Sequence, residues 1–294
     1  MEAALSGQNP ASNPKNDYVI LYWQWGPPAP VTGTHPGYIP GAIHVNSDDF
    51  ETGTPCYFLQ NPAVLTAALR RLGVTRTTTV VVYSDWACAA ARGWWILTYA
   101  GVEDVRFLDG GLAAWVALGG LLAPEPGSPA TPRSFGTVIP ACPEHLADTP
   151  LVESIVASPD ETLIVDVRSW EEFCGETSGY RSLEARGRIP GAVWAGDAEG
   201  SPGSLYLSDS GFLRTPDEIW TVWAPQGITV SRPVIFYCGA GWRSSLAALY
   251  AHLLGLRHVH NYADGWFAWS TIFSSHPDGS WTQRPSNRKT RMAC

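Results

Sequence analysis

The amino-acid sequence predicts an α/β protein with two similar domains, each a parallel sheet with helices on both of its faces. Short apolar runs, typical of buried strands, alternate along the chain with helical patterns, and this alternation favours parallel sheets. Three motifs also occur twice in the same order, which indicates a duplicated domain. A chain of 294 residues is long enough for two such domains, each with its own core.

The repeated motifs mark equivalent elements in the two halves. The first is Gly-x-Ile-Pro-Gly-Ala, the second is an apolar run that ends on serine or cysteine, and the third ends in Ala-Trp. The paired segments are residues 37–44 and 187–194, 80–84 and 234–238, and 108–115 and 262–269. Because all three keep their order, we expect the two domains to share one fold.

The segment between the copies is rich in proline, glycine and serine, which is typical of a linker. We place this linker at residues 122–145. The first domain then covers residues 17–121 and the second covers residues 146–276. The polar ends, residues 1–16 and 277–294, are expected to be mobile tails.

Individual elements are clearest in the second domain. Strands are predicted at residues 163–167, 233–237 and 258–262. A helix is predicted at residues 215–223, where Thr215 suits the N-cap, Pro216 the first helical position, and Glu218 completes a capping box. In an open parallel sheet ligands bind beyond the carboxyl ends of the strands, and Cys238 follows one such end.

Composition excludes several classes of function. The net charge of −8 argues against a broad nucleic-acid surface, which needs clustered lysine and arginine. No stretch approaches the roughly 20 apolar residues that span a bilayer, so we expect no membrane partner. The N-terminus lacks the basic and apolar regions of a secretory signal, and a cytoplasmic location is expected. The six cysteines are not closely spaced, which favours mostly free thiols in a reducing compartment over a zinc ribbon or a disulfide framework.

Residues 234–250 carry the strongest chemical signal. They predict a buried strand that ends on Cys238, a short loop with two glycines, and an amphipathic helix. Backbone N–H groups at the start of a helix favour a thiolate or a bound anion. Gly239 and Gly241 lack Cβ atoms, so the loop can turn its amides inward, and Arg243 adds a positive charge. A buried structural cysteine is the alternative, but these neighbours together favour a nucleophile.

This loop resembles the active-site loop of the rhodanese family of sulfurtransferases. Residues 166–168 (Asp-Val-Arg), 187–192 (Gly-Arg-Ile-Pro-Gly-Ala) and 264–269 resemble three further motifs of that family, with Asp264 in the place of a glycine. The resemblance implies two rhodanese-like domains, the second of them catalytic. It further implies that Cys238 is the nucleophile, that it forms a persulfide, and that no cofactor or metal takes part.

Several residues near Cys238 are candidates for binding a sulfur donor. Loop amides would stabilise an anionic sulfur as an oxyanion hole does. Arg243 either holds an anionic donor or caps the loop through backbone carbonyls. Arg181 and Arg186 precede the second Gly-x-Ile-Pro-Gly-Ala motif, and they either bind donor anions or are ordinary surface charges. The candidate substrate-binding residues are therefore Gly239, Ala240, Gly241, Trp242, Arg243, Ser244, Arg181 and Arg186.

The equivalent loop of the first copy lacks the residues that predict a reactive site in the second copy. Ser84 stands in the place of Cys238 and is followed by Asp85, with no glycine before Gly93 and no arginine in the place of Arg243. A serine there has no evident base to activate it. We therefore expect the first domain to be inactive and structural.

The resemblance implies that sulfur passes from a small anionic donor, with thiosulfate the first candidate, through Cys238 to cyanide, a thiol or a protein acceptor. Phosphatase chemistry is the rival within this fold, but only four residues separate Cys238 from Arg243, one fewer than in such phosphatases. The loop Cys-Gly-Ala-Gly-Trp-Arg resembles that of a bacterial tandem-rhodanese group with Cys-Gly-Thr-Gly-Trp-Arg. A non-enzymatic persulfide carrier, or a docking module for one partner protein, would need the same thiolate and stays open.

Overall fold

The computed structural model describes residues 18–32, 35–53, 56–129, 134–159, 161–197, 203–275 and 281–283. These residues form two compact units. The first contains the described residues within 18–50, 60–143 and 208–213, and the second contains the described residues within 51–59, 144–207, 214–275 and 281–283. Each unit thus includes one short segment from the other half of the sequence, whereas the predicted domains are continuous. The predicted N-terminal tail, and the C-terminal tail apart from residues 281–283, lie outside the described residues.

The first unit is built on a parallel four-stranded sheet with the order β2-β1-β3-β4. Its strands are β1 (Tyr18–Gln24), β2 (Ile43–Asn46), β3 (Thr79–Tyr83) and β4 (Asp104–Phe107). Its helices are α1 (Pro62–Arg71), α2 (Ala87–Ala100) and α3 (Gly111–Ala117). After the consecutive strands β1 and β2, helix and strand alternate along the chain, as the apolar pattern predicts.

The second unit repeats this arrangement, with a parallel four-stranded sheet in the order β6-β5-β7-β8. Its strands are β5 (Leu163–Asp166), β6 (Val193–Trp194), β7 (Val234–Tyr237) and β8 (Val259–Tyr262), followed by the antiparallel pair β9 (Phe273–Ser275) and β10 (Trp281–Gln283). Its helices are α4 (Thr149–Ala157), α5 (Trp170–Cys174), α6 (Pro216–Trp223), α7 (Trp242–Leu253) and α8 (Gly265–Ile272). The α/β class and the duplication are therefore confirmed.

Two helices of the second unit begin with a capping box. The predicted one at α6 is confirmed, because Thr215 accepts a hydrogen bond from the Glu218 N–H while the Glu218 carboxylate accepts from the Thr215 N–H. Helix α5 begins in the same way with Ser169 and Glu172, which was not predicted from the sequence. This second box fixes the position of the Glu172 carboxylate, which matters for the site.

Apolar side chains on both sides of the second sheet form its core. Every residue of β5 and β7 is buried, as expected of central strands in a parallel sheet. Trp266 and Trp269 of α8 pack in this core against Tyr237, Tyr262 and their neighbours. Within the described part of the chain, no helix has both the length and the apolar character needed to cross a bilayer.

Candidate active site

Cys238 lies at the carboxyl end of β7, one residue after the strand ends, and its side chain is buried. The chain then turns through residues 239–241 and enters α7. Gly241 is the N-cap of that helix and has a φ of +83°, a left-handed conformation that favours glycine. The Gly241 N–H donates a hydrogen bond to the Cys238 Sγ over 3.2 Å. The loop therefore does turn an amide toward the sulfur.

Gly239 is required because a tyrosine ring lies directly against it. A Cβ atom at this position would be 1.9 Å from the Tyr180 hydroxyl oxygen and 2.1 Å from the ring carbon that bears it. Tyr180 in turn makes an edge-on contact with Phe267, with 4.8 Å between the ring centroids. The phenol is thereby held beside the loop that follows Cys238.

The start of α8 holds the same loop from its carbonyl side. The Trp266 N–H donates to the Cys238 carbonyl over 2.8 Å, and the Phe267 N–H donates to the Gly239 carbonyl over 3.1 Å. Gly265 makes this approach possible, because its φ is +52° and a Cβ there would be 2.4 Å from the Cys238 carbonyl oxygen. The motif at residues 264–269 thus fixes the backbone that carries the sulfur.

A buried polar network lies on the other side of the sulfur. The Ser244 hydroxyl is 3.6 Å from the Cys238 Sγ and donates to the Asn261 Oδ1 over 2.7 Å. The Asn261 amide nitrogen donates to the Ser245 Oγ over 2.9 Å, and the Ser245 hydroxyl donates to the Gly241 carbonyl over 2.6 Å. Ser244 was predicted to belong to the site. Asn261 was missed, because only the pairing of β8 with β7 brings it there.

Arg243 forms a bidentate ion pair with Glu172 of α5. Its Nη1 and Nη2 donate to the two carboxylate oxygens over 2.6 and 2.9 Å, and Nη2 also donates to the Tyr180 hydroxyl over 3.0 Å. Burial by itself would raise the pKa of Glu172, but the hydrogen bonds and charge of Arg243 outweigh it and lower that pKa. Burial raises the pKa of Tyr180 to about 12, so the phenol keeps its proton at neutral pH. The sequence predicted an anionic donor or backbone carbonyls as the partner of Arg243, and a carboxylate was not predicted.

A second ion pair, between Asp166 and Arg168, is fully buried below the strand ends. Arg168 also donates to the Gly187 carbonyl over 2.7 Å, and the Tyr237 hydroxyl donates to the Asp166 carboxylate over 2.5 Å. The Ile189 N–H donates to the Tyr237 hydroxyl over 3.2 Å. The Asp-Val-Arg and Gly-Arg-Ile-Pro-Gly-Ala motifs are therefore joined to the strand that ends on Cys238.

Arg181 and Arg186 both have exposed side chains. Arg186 donates to the Glu176 carbonyl over 3.0 Å, within its own segment. Their part in binding a donor stays a prediction. Tyr180 of this segment does reach the loop, although it was not predicted from the sequence.

Apolar and aromatic groups surround the remaining loop residues. Ala240 packs with Cys56 and Phe267 in a small buried cluster. Trp242 is partly exposed, and its indole N–H donates to the Glu51 carboxylate over 3.3 Å. The Tyr57 ring makes an edge-on contact with the Trp242 ring, at 6.1 Å between centroids. Glu51 and Tyr57 could not be predicted to lie here, because they come from the first half of the sequence.

In the first unit, the equivalent strand end carries different chemistry. Ser84 follows β3, is buried, and accepts a hydrogen bond from the Trp86 N–H over 3.2 Å. Asp85 stands where the second unit has a glycine, and its carboxylate accepts a hydrogen bond from the Tyr22 hydroxyl. The same oxygen lies 3.6 Å from the His35 Nδ1. The first unit thus has a carboxylate side chain at the position where the second unit has Gly239.

A parallel α/β unit whose central strand ends on a cysteine, cradled by the following loop, defines the class of protein. The family model for the rhodanese-like domain matches residues 12–118 and 151–272, and the chain belongs to that family. The chain is 35% identical over 272 residues to the thiosulfate sulfurtransferase YnjE of Escherichia coli. The aligned residues cover 90% of this chain and 60% of YnjE. This chain therefore spans less than two thirds of the length of that relative.

Two other similar proteins bear on the chemistry. The sulfur carrier protein TtuD of Thermus thermophilus is 30% identical over 255 residues, which cover 80% of this chain and 83% of TtuD. A structure of EanB in a cysteine-persulfide state with ergothioneine superimposes with a TM-score of 0.83 at 29% identity, over 97% of this chain and 69% of that one. Of these two similar proteins, one is named as a sulfur carrier and the other has been captured with a persulfide on a cysteine.

Proposed function

We propose that this protein is a sulfurtransferase that carries a sulfane sulfur on Cys238 as a persulfide. The observation that carries the proposal is the Gly241 N–H, which points at the Cys238 sulfur over 3.2 Å. An amide in this position favours negative charge on the sulfur, both in the thiolate that attacks and in the persulfide that results. The similarity to relatives named as sulfurtransferases supports the same chemistry.

The reaction divides into two transfers of one sulfur atom. The Cys238 thiolate attacks the outer sulfur of thiosulfate, a new S–S bond forms, and the old S–S bond breaks with its electron pair leaving on sulfite. A thiophilic acceptor then attacks the terminal sulfur of the persulfide and regenerates the thiolate. Cyanide gives thiocyanate in this second step. Covalent catalysis of this kind replaces one difficult transfer with two easier ones.

Thiosulfate is the first donor to test, because the name of YnjE specifies it. The proposed acceptors are cyanide, a small thiol or a cysteine of a partner protein, and the proposed location is the cytoplasm. We propose no cofactor, metal, nucleic acid or membrane in the reaction. Gly239, Ala240, Gly241, Trp242 and Ser244 would surround the transferred sulfur, and the first domain would remain inactive.

A persulfide carrier is the second candidate, and the similarity to the sulfur carrier protein TtuD favours it. A carrier would hold sulfur on the same thiolate but release it only to one partner protein. The two candidates differ in turnover with small acceptors, not in the loading step.

The test is thiocyanate production from thiosulfate and cyanide by the wild-type protein, Cys238→Ala and Cys174→Ala. Cys174 is a free and exposed cysteine, so its variant controls for thiol chemistry elsewhere on the surface. Turnover by the wild type and the control, with none by Cys238→Ala, is the expected result. Persulfide that forms but resists cyanide and small thiols would favour the carrier, and equal turnover by Cys238→Ala would overturn the proposal.

A further inference from the structure

The positive charge of the Cys238 loop is compensated within the protein. Arg243 and Glu172 are both buried, with side chains 11% and 5% exposed, and they are joined by two short hydrogen bonds. Water and salt screen such a pair far less than they screen an exposed one. Because the carboxylate approaches both terminal nitrogens of Arg243, the two side chains together present no net charge to a ligand at the loop.

We propose that this pairing makes Glu172 a specificity-determining residue, which selects sulfur donors that carry at most one net negative charge over doubly charged donors such as thiosulfate. Singly charged thiosulfonates and zwitterionic persulfides belong to the favoured class. The inference rests on the proposed function, since it names the class of donor that the same site takes. Glu172 acts through Arg243 and needs no contact with the donor.

The ion pair changes how strongly Arg243 attracts donors of different charge. An unpaired arginine in a poorly hydrated site attracts a dianion about twice as strongly as a monoanion at the same distance, because Coulomb energy scales with charge. When the arginine is paired with a carboxylate, this advantage largely disappears. The Gly241 amide then stabilises the attacked sulfur atom equally in donors of either charge. A dianion, however, loses more hydration free energy than a monoanion when it enters the site, so its binding is disfavoured.

Two donors of matched chemistry isolate the charge. Transfer of the outer sulfur from thiosulfate releases a sulfite dianion, and transfer from methanethiosulfonate releases a methanesulfinate monoanion. In both, the Cys238 thiolate attacks the outer sulfur, the S–S bond breaks, and its electron pair departs with the sulfonyl sulfur. Each reaction leaves the same persulfide on Cys238, so the ratio of the two kcat/KM values measures donor discrimination.

Glu172→Gln removes the charge and keeps the local structure. Glu172 is the third residue of its helix and closes a capping box, a role that glutamine also fills. Glu218 provides a matched control, because it closes the capping box of α6 and pairs with Arg214 over 3.3 Å. Glu218→Gln therefore makes the same chemical change at a second helix start, away from Cys238.

Steady-state kinetics with cyanide as acceptor would be measured for the wild type and both variants. We expect Glu172→Gln to raise the thiosulfate to methanethiosulfonate ratio of kcat/KM by about tenfold, a size consistent with one uncompensated charge in a partly hydrated site. Glu218→Gln should leave the ratio within about twofold. A ratio that stays constant in Glu172→Gln, or falls, would overturn the inference, whatever the absolute rates.

The salt dependence of kcat/KM for the wild-type protein gives a second test that requires no substitution. If the loop is neutral, increasing ionic strength should change kcat/KM only slightly, and by similar factors for the two donors. A markedly steeper loss for thiosulfate would mean that an uncompensated positive charge at the site binds the dianion, and the inference would be wrong. If the wild-type protein forms no persulfide with either donor, it is the proposed function that fails, and the two failures are therefore distinguishable.

Discussion

Single residues decide what each strand end can do. Cys238 and Ser84 occupy equivalent positions after β7 and β3, and differ by one atom in the side chain. The residue that follows matters as much, because Gly239 leaves room for the Tyr180 phenol whereas Asp85 introduces a carboxylate. Asp85 would repel a thiolate and an anionic donor alike. The chemistry therefore depends on a short run of residues rather than on the cysteine alone.

Ser244 offers a residue-scale prediction. Its hydroxyl lies 3.6 Å from the Cys238 sulfur, and its single proton is donated to Asn261. Turning that proton from Asn261 toward the sulfur would let the hydroxyl stabilise negative charge there. Ser244→Ala should lower kcat/KM for sulfur transfer by about tenfold, the value of one weak hydrogen bond to an anion. Ser245→Ala is the control, since Ser245 belongs to the same network but bonds the Gly241 carbonyl. An equal loss in both variants would show that the network only supports the fold.

The sequence identifies Cys238 and its loop but not their partners. The spacing of a strand, two glycines and a helix is local, and it predicts the position of the sulfur and the inward amide. Glu172 and Tyr180 are 66 and 58 residues earlier in the sequence, and only the packing of their segments places them at the loop. Arg243 was therefore predicted either to hold an anionic donor or to cap the loop, because no local sequence pattern indicates a carboxylate partner.

At the scale of elements, the start of α8 and the loop after β7 form one assembly. Two N–H groups at the start of the helix bond the carbonyls of Cys238 and Gly239. This arrangement satisfies donors that a helix start leaves open and fixes the loop whose amide faces the sulfur. A change at Gly265 should consequently affect both stability and sulfur transfer.

Gly265→Ala is the element-scale prediction. Alanine there must adopt a φ near +52°, and its Cβ would be 2.4 Å from the backbone oxygen of Cys238. We expect a loss of about 3 kcal/mol in the free energy of unfolding, measured by urea denaturation. Gly255→Ala is the matched control, because its φ is +78° but nothing lies within 4 Å of its Cβ position. Gly255→Ala should lose only about 1 kcal/mol, and similar losses in the two variants would contradict a tight contact.

Local capping signals account for much of what could be predicted about the elements. The Thr-Pro-Asp-Glu sequence at α6 carries a full capping box with proline in the first turn, and the structure confirms it. Helix α5 carries the same box, but it has only five residues, too few for an apolar period to reveal. Yet it is this short helix that supplies Glu172.

At the scale of the molecule, the two units share the same sheet framework and differ in the polar residues at the carboxyl ends of the strands. In each, the N–H of an isoleucine donates to a buried tyrosine of the central strand: Ile39 to Tyr83 over 3.1 Å, and Ile189 to Tyr237 over 3.2 Å. The strand register pairs these tyrosines with Tyr22 in the first unit and Asp166 in the second. The duplicated motifs therefore preserve the fold, while the polar groups around it have diverged.

This divergence predicts that the first unit cannot be made active by one cysteine. In a Cys238→Ala background, Ser84→Cys should gain no sulfur from thiosulfate, because Asp85 occupies the place of Gly239 and the loop has no equivalent of Gly241. Intact-protein mass after incubation with the donor is the measurement. A gain of one sulfur atom that maps to position 84 would mean that the fold alone suffices.

The duplication itself was readable from the sequence, because the three motif pairs preserve the turns and strand ends that the fold needs. The exchange of short segments between the two units could not be predicted from the sequence. Residues 51–59 belong to the second unit and residues 208–213 to the first, and neither carries a periodic pattern that reveals its destination. The aromatic and acidic groups beside Trp242 come from the first of these segments, and tertiary packing alone brings them to the loop.

The central claim is that Cys238 carries the transferred sulfur. The most direct measurement is the intact mass of the wild-type protein after incubation with thiosulfate, followed by peptide mapping of the added sulfur. We predict a gain of one sulfur atom located on Cys238, reversed by cyanide and absent from Cys238→Ala. Failure of the wild type to gain sulfur from thiosulfate, methanethiosulfonate or a low-molecular-weight persulfide, or a gain that survives in Cys238→Ala, would contradict the claim.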